Sequence, residues 1–87
     1  MDMPWEKKTQ EKFEQLIAKI PVFMRGIAQG KISQAAVEFA RQNNHQEVIE
    51  KDMVDAFFQE TPFAFQGLLK TDLESVGIDY TQYGHAK

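Results

Sequence analysis

The sequence has no cysteine. That removes disulfides, thiolate metal ligands, cysteine-held iron–sulfur clusters and cysteine nucleophiles in one step. Long apolar runs are also missing: the longest stretch is a few residues, against the roughly 20 that span a bilayer. The opening Met-Asp-Met-Pro-Trp-Glu lacks the basic and apolar regions of a signal peptide. Both absences point to a soluble, cytoplasmic protein with no membrane span. Nor is there a surplus of basic charge. Ten Lys and Arg stand against thirteen Asp and Glu, a net charge of −3, which speaks against a nucleic-acid binder held by phosphate contacts. The acidity is uneven, with seven basic and six acidic residues over 1–49 and three against seven over 50–87. Internal repeats and low-complexity segments are absent as well.

What is present is an ordinary globular composition. The 87 residues are 43% hydrophobic and include seven Phe, two Tyr and one Trp, enough for one small folded domain and too apolar for a disordered chain. Apolar residues recur at helical spacing. Trp5, Phe13, Leu16, Ile17 and Ile20 share one stripe, which predicts a first helix from about Pro4 to Lys19. Pro21 suits the first turn of the next helix and would break an interior, and residues before a proline turn extended, so Ile20 marks a sharp corner. From there Ala28, Ile32, Ala35, Ala36 and Phe39 follow a 3.6-residue period, predicting a long second helix from Pro21 to about Asn43. Gly26 and Gly30 lie inside it, four apart, and close packing of another helix is the plain reason to tolerate them. The asparagines at 43 and 44 tolerate left-handed conformations and form a helix stop.

Val48-Ile49 reads as a short extended bridge leading into a third helix that turns Met53, Val54 and Phe57 inward, with Asp52 favouring its positive end. Thr61-Pro62 then reads as a cap and helix entry, and Thr71 to Glu74 as a capping box for a further short helix ending at Gly77. Residues 78–87 read as a tail that packs through Ile78 and Tyr80 and frays beyond it. The expected fold is therefore all-α: three main helices with a long central one, plus a short helical extension over 59–87, in a single domain.

No catalytic constellation appears. His45 and His85 stand alone, without a second ligand at metal spacing, and no hydroxyl has a His partner at a recognisable distance along the chain, so neither metal nor other cofactor is expected. Two features remain as candidate sites. Arg25 and Arg41 lie mainly off the apolar face of the second helix and suit an acidic group such as a propionate or phosphate, although a solvated helix face is the simpler account of them, with Glu38 placed to pair with Arg41. Phe57, Phe58, Phe63 and Phe65 crowd nine residues more densely than a minimal core requires, which makes Phe58, Phe63 and Phe65 candidates for an exposed partner surface.

Trp5, the run Lys19-Ile20-Pro21-Val22-Phe23-Met24-Arg25-Gly26, then Glu38-Phe39-Ala40-Arg41, then Val48-Ile49 and the 52–56 helix together resemble a known family. It is the protochlorophyllide reductase (PCP reductase) domain, the small helical domain at the carboxyl end of one of the subunits of light-independent protochlorophyllide reductase. The likeness spans residues 5–58. The sequence departs from it at Gly26, Ile27 and Gly30, where the family is expected to be more basic, and in the extension. The resemblance implies a helical accessory or interaction domain with a protein partner, a redox or tetrapyrrole enzyme. It does not imply catalysis by this chain, which has no cysteine for a cluster. Direct tetrapyrrole binding by the aromatic patch with Arg25 or Arg41 is one alternative. A small nucleic-acid-binding helical protein, histone-like or helix-turn-helix, is another, since the helix order fits those layouts too.

Overall fold

The computed structural model describes residues 3–87. Four α-helices follow in order: α1 (Lys7–Ile17), α2 (Val22–Gln42), α3 (Glu50–Glu60) and α4 (Gln66–Ser75), with 3₁₀ turns at Phe63–Phe65 and Tyr80–Tyr83. The all-α expectation with a long central helix holds. No helix among the described residues is long and apolar enough to cross a membrane.

The most extensive helix pair is α2 with α3. α2 turns Ile32, Ala35, Ala36 and Ala40 into the core, and the three alanines let the facing helix come close. Met53, Val54, Ala56 and Phe57 of α3 are buried in return. Phe13, Leu16 and Ile17 of α1 join the same cluster, as do Leu69, Leu73, Ile78 and Tyr80 from beyond residue 59. The carboxyl-terminal part is thus built into the core.

α1 is shorter than its stripe suggests, because residues 4–6 spend their backbone elsewhere. Trp5 forms a parallel β-bridge with Val48, in which Glu6 N–H donates to Val48 O and Val48 N–H to Pro4 O, both at 2.9 Å. The extended pair Val48-Ile49 therefore finds its partner in the amino-terminal segment. The Trp5 ring still packs on Phe13, centroids 4.8 Å apart.

The helix ends explain the turns. α2 closes in a Schellman motif: Asn44 is left-handed at φ 60°, His45 N–H donates to Ala40 O and Asn44 N–H to Arg41 O. α4 repeats it with Gly77 at φ 80°, Ile78 N–H donating to Leu73 O and Gly77 N–H to Glu74 O. Other expectations need correction. Pro21 precedes α2 as its N-cap rather than occupying its first position. Thr61 ends α3 in an extended conformation set by the proline after it, and Pro62 leads into a 3₁₀ turn. Thr71 caps nothing; it sits inside α4 with its hydroxyl bonded to the Gly67 carbonyl. Gly26 and Gly30 are not packing glycines, since a Cβ at either would meet no atom within 4 Å.

The tail does not fray. Tyr83 donates its hydroxyl to Glu50, His85 Nε2 lies 2.6 Å from Asp55 Oδ1, and the His85 ring stacks on Phe58 at 4.0 Å. A segment short of apolar residues is held to α3 by polar and ring contacts that no periodicity announces.

Candidate functional site

No residue from Val22 to Lys31 is buried; the first buried residue of α2 is Ile32. About 15 Å of helix therefore lies at the surface. Its sequence is apolar around most of its circumference, a pattern that asks for cover on more than one side. Val22 is 74% exposed, Phe23 84%, Met24 49% and Ile27 69%. A second exposed set stands on the 3₁₀ turn and α4: Phe63 at 88%, Phe65 at 57% and Leu68 at 68%. Seven large apolar side chains on three elements exceed the scattered exposure usual for a monomer's surface.

Between the two sets runs an open groove of about 330 Å³. Its floor is the edge of the core: Leu16, Ile32, Phe57 and Leu69. One wall is the α1–α2 corner and α2, with Ile20, Pro21, Met24 and Ala28; the other is the end of α3, the 3₁₀ turn and α4, with Pro62, Phe65 and Leu68. Charge is segregated by wall. Lys19 and Lys31 belong to the first, Glu60 and Asp72 to the second. None of the four takes part in an ion pair among the described residues, where the pairs are Lys12–Glu50, His45–Asp52, Lys51–Asp55 and His85–Asp55. Such a lining is able to hold an apolar surface and orient it by charge.

The residues singled out from sequence scatter. Phe65 lines the groove and Phe63 stands exposed on the same 3₁₀ turn, outside its lining, whereas Phe58 is buried against Tyr80 and His85 and belongs to the core. Arg25 is committed to structure: Nε donates to Ile20 O and Nη2 to Ala18 O, both at 2.7 Å, so its guanidinium closes the open carbonyls at the end of α1. Arg41 lines a separate, larger pocket of about 600 Å³ with Trp5, Val37 and Glu38. Neither arginine lines the groove. Sequence reasoning missed Val22, Phe23, Met24, Ile27 and Leu68 as surface residues. The available signal was the apolar quartet within six residues at the start of α2, which no single buried face can absorb.

Both histidines have carboxylate partners. His45 Nδ1 lies 2.8 Å from Asp52 Oδ2, which also accepts the Ile49 N–H at 3.1 Å and so caps α3. Asp52 is buried, and its Oδ1 has no hydrogen-bond partner among the described residues. These pairs act as joints of the fold, since neither imidazole is hydrogen-bonded to a hydroxyl. Among the described residues no three His, Cys, Asp or Glu side chains are grouped to hold a metal ion. Burial, reinforced by the hydrogen bond to Glu50 and the charges of Glu50, Glu6 and Asp79, raises the pKa of Tyr83 well above the phenol range. Burial and the neighbouring Glu74 and Asp79 raise that of Tyr80.

The family described as a protein of unknown function (DUF2621) matches residues 2–86. That is nearly the whole sequence, and the chain belongs to this family. No curated protein and no solved structure matches it.

Proposed function

We propose that this member of the DUF2621 family is a non-catalytic helical interaction module whose working surface is the apolar groove between α2 and α4. One observation carries the reading: seven large apolar side chains are left in solvent, and they sit on α2, the 3₁₀ turn and α4, the elements that wall a single groove. Leaving them exposed forgoes roughly 1.5–3 kcal/mol for each that could be buried. An isolated domain gains nothing from that arrangement, and a docking surface does. The resemblance to the protochlorophyllide reductase domain supports a redox or tetrapyrrole enzyme as the larger assembly in which the module serves.

Site-specific photo-crosslinking in cells tests the proposal. A benzophenone amino acid replaces Phe23, Phe63 or Leu68 in turn, with the exposed Gln15 and Gln82 as controls. Discrete protein adducts from Leu68 in the groove and from Phe23 and Phe63 on the elements that wall it, and none from the controls, are expected. Adducts spread equally over all five positions, or absent from all, would remove the groove as a docking surface.

A further inference from the structure

We infer that the groove is closed by a second copy of this chain, paired about a two-fold axis so that the basic wall of each copy faces the acidic wall of the other. The inference rests on the reading of the groove as a docking surface and names its occupant. Three observations carry it. The first is area. With roughly 150–200 Å² for a large apolar residue, the exposed fractions of the seven amount to about 900 Å², against about 800 Å² per partner in a stable interface.

The second is that projection and recess occur on the same molecule. Phe23 and Phe63, the most exposed apolar side chains, stand beside an open apolar groove, so a two-fold pairing uses each element twice. The third is charge. Lys19 and Lys31 line one wall, Glu60 and Asp72 the other, and no ion pair among the described residues consumes them. A surface of one sign, such as an anionic membrane or a nucleic acid, meets repulsion along the acidic wall. A second copy turned by half a revolution meets opposite charge along both.

Sedimentation velocity on the full chain, from micromolar to submillimolar concentration, tests this with two charge-reversed variants. Lys19→Glu with Lys31→Glu makes both walls acidic, and Glu60→Lys with Asp72→Lys makes both basic. The unaltered chain is expected to dimerise, and each variant alone to dimerise at least about tenfold more weakly. An equimolar mixture of the two variants should recover a one-to-one dimer, because opposite walls meet again. Unchanged helical circular dichroism of each variant guards against misfolding. An unaltered chain that stays monomeric, or a mixture that forms no heterodimer, overturns the inference. A monomeric chain that still gives crosslinks to other proteins from Phe23 and Leu68 removes the second copy and leaves the docking surface standing.

Discussion

Leu68 and Leu69 are neighbours on α4 with the same chemistry, yet one is 68% exposed and the other 8%. Truncating each to alanine separates what the fold needs from what the groove offers. Leu73, one turn further on, is fully buried, and its removal leaves a closed cavity costing about 3–5 kcal/mol. Leu69 lines the groove floor, so the space it vacates opens toward solvent; its truncation costs less, about 2–3 kcal/mol. Leu68→Ala loses almost no burial and gains slightly in helix propensity, and stays within about 0.5 kcal/mol of the unaltered chain. Against the roughly 4–13 kcal/mol expected for a domain of this length, the three range from nothing to a large fraction of total stability. Urea unfolding followed by Trp5 fluorescence measures them, with the slope unchanged as the check that only the native state was altered. Protein concentration enters through self-association: the unaltered chain's midpoint should rise with concentration, and Leu68→Ala should abolish that rise. At concentrations low enough to keep the chain monomeric, a Leu68→Ala cost equal to that of Leu69→Ala would mean that Leu68 is covered within the chain itself, and would refute the exposure on which the functional reading stands.

Arg25→Ala removes two charge-assisted hydrogen bonds at the end of α1 and should cost about 1–2 kcal/mol in thermal unfolding; Arg25→Lys should not restore it, because one ammonium cannot reproduce the fork that reaches Ala18 and Ile20. Gly26→Ala and Gly30→Ala should each stabilise the domain by about 0.5–1 kcal/mol, since both glycines are helical and open to solvent, whereas Gly77→Ala at φ 80° should cost about 1–2 kcal/mol. Tyr83 and Tyr80 keep their protons longer in the folded chain than in the unfolded one. Above an unfolded pKa of about 10 the native state therefore binds more protons, and stability falls as pH rises. Tyr83→Phe should flatten that decline in alkaline urea titrations, and tyrosinate absorbance in the folded chain should lag behind that of free tyrosine.

Much of the architecture was legible because it is local. The period of α2, the corner at Pro21, the asparagine stop, the carboxylate at the start of α3 and the end of α4 at Gly77 each follow from a few adjacent residues and a rule of backbone sterics or capping. Where two local rules competed, sequence was a poor guide. Thr61-Pro62 fits a helix start and a helix end equally, and the chain uses it as an end. Thr71 to Glu74 has the letters of a capping box, but α4 is already under way when it arrives.

The surface was less legible than the core. Phe58, Phe63 and Phe65 are alike on paper, and only their placement makes one core and two surface. Arg25 looked available until the corner brought it onto the carbonyls of Ala18 and Ile20. The sequence by itself determined the helical class, the absence of cysteine chemistry and the unmatched apolar content at the start of α2, because composition and period are properties of neighbouring residues. Tertiary structure alone decided that Trp5 bridges Val48, that His85 is pinned between Asp55 and Phe58, and that α2 and α4 wall one groove, lined by Met24, Phe65 and Leu68 and carrying opposite charges on its two sides. Those facts join residues some 30 to 50 positions apart, and nothing in the local spacing of a chain records which distant surfaces its folding brings together.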